Sequence, residues 1–362
     1  MKAYDKLWPA IVALALLIAL PATAAERAVE LELDAAALRV TNLAGSVRIV
    51  PGSRLVLRAS IKADSTSIAD GVAFEQDRDG DTASVTVRLP DGVDEVRYED
   101  DQFRRLDVRL DYEGERIRVR SNEGERLRVD LELEVPQGAA LELRQGVGEI
   151  RVSGVDADLE LSLNYGQLRA ADGQGVLVAV TRSGDIEVTS QRGQLDARSG
   201  SGDLRIENIL GTTRARTGSG DVTLRGADGD MQVETGSGDL RLGDVIGSLR
   251  GRTGSGDVEI MNLGAGAQLD IATGSGDVGA AGDLAALRDV TIRTGSGDVD
   301  LRSNAPLSLR LSLATGSGGI RVDVPMMGDV ESGRRSFKAT VGAGEGEARI
   351  NTGSGDIYIK AP

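Results

Sequence analysis

Thr217-Gly218-Ser219-Gly220-Asp221-Val222-Thr223-Leu224 decides how this chain folds, because the same eight-residue pattern returns at 235–242, 253–260, 273–280, 294–301 and 352–359. Degenerate copies lie at Arg182–Asp185, Ser199–Asp203 and Thr315–Gly319, with fainter ones at Gly148-Glu149-Ile150 and Gly166-Gln167-Leu168. Taking the residue after the last Gly as a marker, positions 149, 167, 185, 203, 221, 239 and 257 are 18 apart, and the next intervals are 20, 21 and 21. A fixed period of this size means one stacked structural unit per repeat.

The residues around each marker say what the unit is. Leu204/Ile206, Val222/Leu224, Leu240/Leu242, Val258/Ile260, Val299/Leu301 and Ile357/Ile359 are apolar, while Arg205, Thr223, Arg241, Glu259, Asp300 and Tyr358 lie between them. Alternation with period two marks a short strand with one buried face. Before the turn, Met231/Val233/Thr235, Leu269/Ile271/Thr273 and Val290/Ile292/Thr294 alternate in the same way. A unit therefore reads as strand, T-G-S-G-D turn, strand, then a variable turn such as Gly226–Asp230 or Gly243–Gly247. One such unit cannot bury its apolar face alone, so the expected fold is all-β: a β-solenoid, parallel β-helix-like, with coils of 18–21 residues and capped ends. About eleven coils at roughly 4.8 Å each make a rod of about 50 Å. Thr217, Thr235, Thr253, Thr273 and Thr294 point inward and form a ladder. With 48 Gly, one Trp, five Tyr and three Phe in 362 residues, the chain lacks the bulk of a conventional core, and a narrow repetitive one needs little.

Four segments follow. Residues 1–25 read as a secretory signal: Lys2 and Lys6 precede an apolar run from Leu7 to Leu20, and Ala22-Thr23-Ala24-Ala25 offers a small-residue cleavage site. The run is short for a membrane span, although a retained signal anchor is the competing reading. Residues 26–135 form an N-terminal β cap that includes a charged irregular stretch at 62–130, in which Tyr98-Glu99-Asp100-Asp101 reads as an exposed loop. The regular repeats occupy 136–322, and 323–362 form a C-terminal coil and cap, with Met326 and Met327 as cap packing. The marker Asp356 comes 37 residues after Gly319, so one coil there is enlarged or replaced by a hairpin.

A secretory signal, Val135-Pro136-Gln137-Gly138 followed by alternating strands, the repeated T-x-S-G-D coils and a terminal Gly344-to-Ile357 element together resemble the bacterial putative-adhesin family of secreted β-solenoid domains of unknown function, related to auto-transporter adhesin heads. The resemblance covers residues 26–362 and is weakest over 62–130. It implies a β-solenoid of the cell envelope; fold analogy does not establish function.

Composition narrows the chemistry. With no His and no Cys, Ser-His-Asp and Cys-His catalysis, His-based metal sites and disulfides are excluded. A net charge of −15 opposes nucleic-acid binding, and outward positions lack aromatic platforms for stacking sugars, Tyr358 excepted, which leaves polar hydrogen bonding to a glycan open. Asp203, Asp221, Asp239, Asp257, Asp277 and Asp298 recur at one corner, where neighbours about 4.8 Å apart repel by roughly 0.9 kcal/mol even in water. Two readings offset that repulsion. Each Asp accepts N–H groups of its own turn, helped by Arg198, Arg216, Arg252 and Arg293, or calcium bridges successive turns. The chain departs from the calcium-roll motif, since Asp follows the second Gly directly and only once per 18 residues. The expected function is a non-enzymatic adhesin-like interaction module, periplasmic, secreted or at the cell surface. Its partner is an envelope or surface protein or glycan, and after signal cleavage it is not an integral membrane protein. The alternatives are a calcium-stabilised repeat protein and, further off, a carboxylate-dependent polysaccharide enzyme. Deletion of 62–130 is expected to remove partner binding and leave the β structure intact.

Overall fold

The computed structural model describes residues 25–362 apart from 101, 102, 104, 264–267 and 286. The signal run and its cleavage residues before Ala25, and Asp101, lie outside the described residues. A parallel β-solenoid carries the repeats, in the expected register. Leu204 pairs with Val222, Val222 with Leu240, Leu240 with Val258, and Val258 with Val278. On the pre-turn side Thr217, Thr235, Thr253, Thr273 and Thr294 align likewise. In Val222–Thr235 the side chains that face the core, among them Val222, Leu224, Met231, Val233 and Thr235, are buried, and the alternate residues are not. Period two thus becomes two walls of a narrow core whose rows are Leu, Val, Ile and Ala.

The stretch between post-turn and pre-turn strands differs from a plain turn. Residues 226–230 lie inside a continuous ladder, with Ala227 on Val245 and Asp228 on Ile246. Bends carry the chain round the corner while the hydrogen bonds run on. Gly154, Asp172, Ser190, Asn208, Gly226, Asp244 and Asn262 occupy one row and all have φ between 54° and 69°. These are residue types that tolerate the left-handed region.

At the N-terminal end the coil order departs from chain order. Strand β1 is Ala25–Leu33, β2 Ala37–Pro51 and β3 Leu55–Ala63. Helix α1 (Thr66–Gly71), the one helix among the described residues, is capped by the Ser65 hydroxyl, which accepts from Ile68 N–H. Then come β4 (Ala73–Asp79), β5 (Thr82–Arg88), β6 (Glu95–Arg97), β7 (Asp107–Tyr112), β8 (Glu115–Arg120) and β9 (Glu125–Val135). Coil β2 stacks directly on Ala140–Ser153, with Leu38 on Leu141 and Val47 on Ile150. Residues 52–139 are therefore an excursion that returns to close the open end. Strand β5 continues the pre-turn wall in parallel and β4 covers it antiparallel. Strand β9 continues the post-turn wall, followed by β3 and β1, both antiparallel. The outermost β4 exposes Glu75, Asp77, Arg78 and Asp79, a charged edge that discourages pairing with other chains.

The charged 62–130 segment is part of this closure, and the expectation of an exposed loop at Tyr98 fails. Tyr98 is 0% exposed, its ring centroid 5.7 Å from that of Phe103 and 5.5 Å from the Arg128 guanidinium carbon. A Cβ built on Gly148 would lie 3.2 Å from the Tyr98 hydroxyl, and one on Gly166 3.2 Å from Phe103. The two rings fill the flank that the first glycine corners leave bare.

The C-terminal end holds a second reordering. Gly346–Thr352 pairs with Asp289–Thr294 on one side and with Leu309–Thr315 on the other, parallel to both. Ile357–Lys360 likewise lies between Val299–Ser303 and Ile320–Asp323. The last repeat in sequence is thus the penultimate coil in space, and 309–323 form the terminal one. The hairpin of Met326–Ser332 and Ser336–Val341 closes the pre-turn wall antiparallel to Leu309–Thr315, burying Phe337, Ala339 and Val341. A hairpin does stand in the long interval before Asp356, but Met326 on its outer strand is 38% exposed rather than packed.

Candidate functional site

The repeated corner is a hydrogen-bonded staple between coils. Each inward Thr accepts from a Gly amide of its own turn and donates to a Gly carbonyl of the preceding coil. Thr235 Oγ1 takes Gly238 N–H at 3.1 Å and donates to Gly220 O at 2.8 Å. Thr253, Thr273 and Thr294 repeat this at 2.9–3.0 Å onto Gly238, Gly256 and Gly276. Glycine is required there for space: a Cβ on Gly238 would lie 2.0 Å from Gly220 O.

The Asp row is stapled too, by a bond other than the expected own-turn one. Each carboxylate accepts the backbone N–H of the Asp in the next coil. Asp221 N–H donates to Asp203 Oδ1 at 2.9 Å, Asp239 to Asp221 at 2.9 Å, Asp257 to Asp239 at 3.0 Å and Asp277 to Asp257 at 2.8 Å. Asp298 donates to Asp277 at 2.8 Å. Arg241 spans two rungs, 2.7 Å from Asp221 and 2.9 Å from Asp239. Its hydrogen bond, with the Asp239 amide second, holds the Asp221 carboxyl below the usual carboxylate range. Of the outer-face arginines, Arg198 pairs with Asp196, Arg216 with Glu234 and Arg293 with Asp270, all off the ladder. Among the described residues no group of three or more Asp or Glu is placed to hold a metal ion.

The ladder also explains the one T-G-S-G copy whose marker is not Asp. Asp356 N–H donates to Asp298 at 2.7 Å, and Asp356 Oδ1 accepts Gly319 N–H at 2.6 Å. Gly319 belongs to the terminal coil, beyond which no further coil among the described residues presents an amide.

A second feature, unforeseen from sequence, is a groove of about 500 Å³ on the pre-turn flank, crossing five coils from Thr212 to Arg293. Its lining includes Arg214, Asp230, Gln232, Ser248, Arg250, Gln268, Asp270, Asp289 and Arg293. Arg250 and Arg293 reach Asp270 at 3.1 and 3.4 Å, and Gln232 donates to Glu234 at 2.8 Å. Arg214, Asp230, Ser248, Gln268 and Asp289 have no side-chain partner among the described residues. Thr213, 0% exposed and also in the lining, has an Oγ1 with no hydrogen-bond partner. The signal was present in the register: Arg214, Gln232, Arg250, Asp270 and Thr291 are one outward row, mixed in charge where the core rows are uniform.

Among curated proteins, none matches the chain. Solved structures similar to it include a putative cell adhesion protein from Clostridium sporogenes, 12% identical over 94% of this chain and 100% of that one, with a TM-score of 0.21. A putative lipid binding protein from Parabacteroides distasonis is 12% identical, covering 92% and 97% at a TM-score of 0.29. A putative adhesin from the same organism is 9% identical, covering 92% and 98% at 0.24. The model of the Toastrack DUF4097 family matches residues 62–243 and again 209–360, a double match that spans the ladder and most of the N-terminal closure, and the chain belongs to that family.

Proposed function

We propose that this protein is a non-enzymatic interaction module of the cell envelope or cell surface that engages its partner along the flank of the rod. The observation that carries this reading is the groove from Thr212 to Arg293, where donors and acceptors stand open while the glycine corner spends its own on coil stacking. Antiparallel strands close both walls at the N-terminal end and the pre-turn wall at the C-terminal end, which leaves the flanks as the long, rigid surface. The N-terminal residues, read as a secretory signal, support an extracytoplasmic location, and no helix among the described residues is long and apolar enough to cross a membrane. Absence of His and Cys removes the commonest catalytic groups, and the acidic ladder repeats one structural task at every rung.

Specificity moves with this reading from 62–130 to the flank. That segment supplies Tyr98, Leu110, Ile117, Val119 and Val129 to the core, so its deletion disturbs the fold before it informs on binding. The test is co-sedimentation of the purified protein with envelope fragments of the producing cell. Retention that is lost on Arg250→Glu and kept on Glu75→Lys, a change on the closing strand β4, is the expected result. No retention, or retention indifferent to Arg250, would refute the flank assignment.

A further inference from the structure

The chemistry of the groove defines a ligand class. Its charged lining consists of Arg214, Arg250 and Arg293 against Asp230, Asp270 and Asp289, three of each sign, within a chain of net charge −15. Local neutrality in a strongly acidic protein disfavours both a polyanion, which the rest of the surface repels, and a polycation, which would find stronger attraction elsewhere. The remaining lining offers hydroxyls and amides: Thr212, Ser248, Thr291, Gln232 and Gln268. These are groups that both donate and accept, suited to a partner that does the same at every position.

The groove also has a direction. It crosses coils, so equivalent side chains recur along the rod axis at the inter-strand spacing of about 4.8 Å. A sugar ring in a linear chain is of similar length, so one hexose per coil keeps its hydroxyls in step with successive rows. An extended polypeptide would bind a solenoid through a free sheet edge. Here the backbone at the groove is consumed in the ladders from Thr212 to Thr217, Asp230 to Thr235 and Gln268 to Thr273. The apolar members of the lining, Met231, Leu249 and Leu269, are at most 3% exposed and offer no socket for apolar anchors.

We infer that the pre-turn groove is a binding site for a neutral linear oligosaccharide lying along the rod axis, held by hydrogen bonds from rows of mixed side chains and without an aromatic platform. This rests on the reading of the chain as an interaction module and names its ligand. Hydrogen bonds that replace those to water give modest net affinity per sugar, so binding strengthens with chain length.

Calorimetric titration of the full protein with cellohexaose, maltohexaose and chitohexaose tests it, with hexagalacturonate and hexalysine as charged comparators. At least one neutral hexamer saturates, binds several-fold more tightly than its trimer, and is weakened at least fivefold by Arg250→Ala. Ser248→Ala, too small a change to threaten the fold, weakens it by a lesser factor, and Glu259→Gln on the post-turn flank leaves it unchanged. The inference is overturned if no neutral hexamer saturates, if a charged hexamer binds better, or if both groove variants bind like the parent at an unaltered melting midpoint. Co-sedimentation with envelope fragments separates the two levels: retention there without oligosaccharide binding removes the ligand class and keeps the module, and loss of both removes both.

Discussion

Asp257 offers the cleanest measure of what the carboxylate ladder does. Its Oδ1 accepts Asp277 N–H at 2.8 Å, its own amide donates to Asp239 at 3.0 Å, and among the described residues no arginine pairs with it. Asp257→Ala removes a hydrogen bond to a charged acceptor, worth about 1.5–3 kcal/mol, and at the same time relieves two like-charge contacts. Each of those, at about 4.8 Å in a medium like water, is about 0.9 kcal/mol before salt screening. The net destabilisation is then about 1 kcal/mol or less. Asp257→Asn relieves the same repulsion and keeps an acceptor, so it is about 1 kcal/mol more stable than the Ala variant and close to the parent. The readout with fewest assumptions is hydrogen exchange at the Asp277 amide, because a repeat rod need not unfold in one step. At 1.4 kcal/mol per factor of ten, that amide exchanges roughly fivefold faster in Asp257→Ala than in Asp257→Asn. Equal exchange and equal melting in the two variants would show that the side chain is no acceptor, and the account of the ladder would fall with it.

Deleting 346–362 removes a coil that pairs on both sides, so amide protection is expected to collapse in Asp289–Thr294 and in Leu309–Thr315 together; if 309–315 stays protected, the terminal coil can dock without the insert. Gly238→Ala places a Cβ 2.0 Å from Gly220 O and is expected to cost at least about 3 kcal/mol, whereas Gly279→Ala, with nothing within 4 Å, stays within about 0.5 kcal/mol in the same urea titration. Acid lowers stability through Asp221: its folded-state pKa is depressed, so its contribution is complete above the unfolded value near 3.9 and is lost as pH falls through the folded one, and Arg241→Ala flattens the melting profile below about pH 4. If calcium bridges the rungs, its micromolar addition raises the melting midpoint; with Oδ1 of each rung already given to an amide, the expected response is no more than general screening produces.

How far the sequence could be read depended on whether a signal was periodic. Alternation around T-G-S-G-D announced strands, stacking, the inward Thr ladder and an all-β rod, because each of those repeats with the coil. The row of left-handed residues was equally periodic, from Gly154 through Asn208 to Asn262, but mixes Gly, Asn, Asp and Ser, so it hides from a search for identical letters. Non-periodic features were read unevenly: the hairpin in the long interval before Asp356 was foreseen, the packing of Tyr98 was not. Tyr98 stands among charges and reads as exposed, yet the bare glycine flank it covers exists only after coils have stacked. The groove escaped for a related reason: its members are scattered across five repeats and meet only through register.

The order of coils was legible in one letter. Suppose the chain stacked in sequence order, with 309–323 on 289–303 and the last repeat outermost. Gly319 would then sit between Asp298 and Asp356, and the Asp356 amide would face a residue with no side chain to accept it. Inserting 346–360 gives the run Asp277, Asp298, Asp356, Gly319, in which every amide after the first meets a carboxylate. The Thr rungs follow the same order, Thr352 donating to Gly297 O and Thr315 to Gly355 O, both at 2.9 Å. On the outer face Tyr358 lies under two guanidinium groups, Arg302 from one neighbouring coil and Arg321 from the other, at 5.9 and 5.7 Å. That sandwich forms only if the last repeat is enclosed, and at roughly 0.5–1 kcal/mol per cation–π contact it adds to the bias the ladder sets. Among the T-G-S-G coils the one lacking Asp is therefore the one that can end the rod, and placing it there requires the chain to pass its own C-terminus inside it.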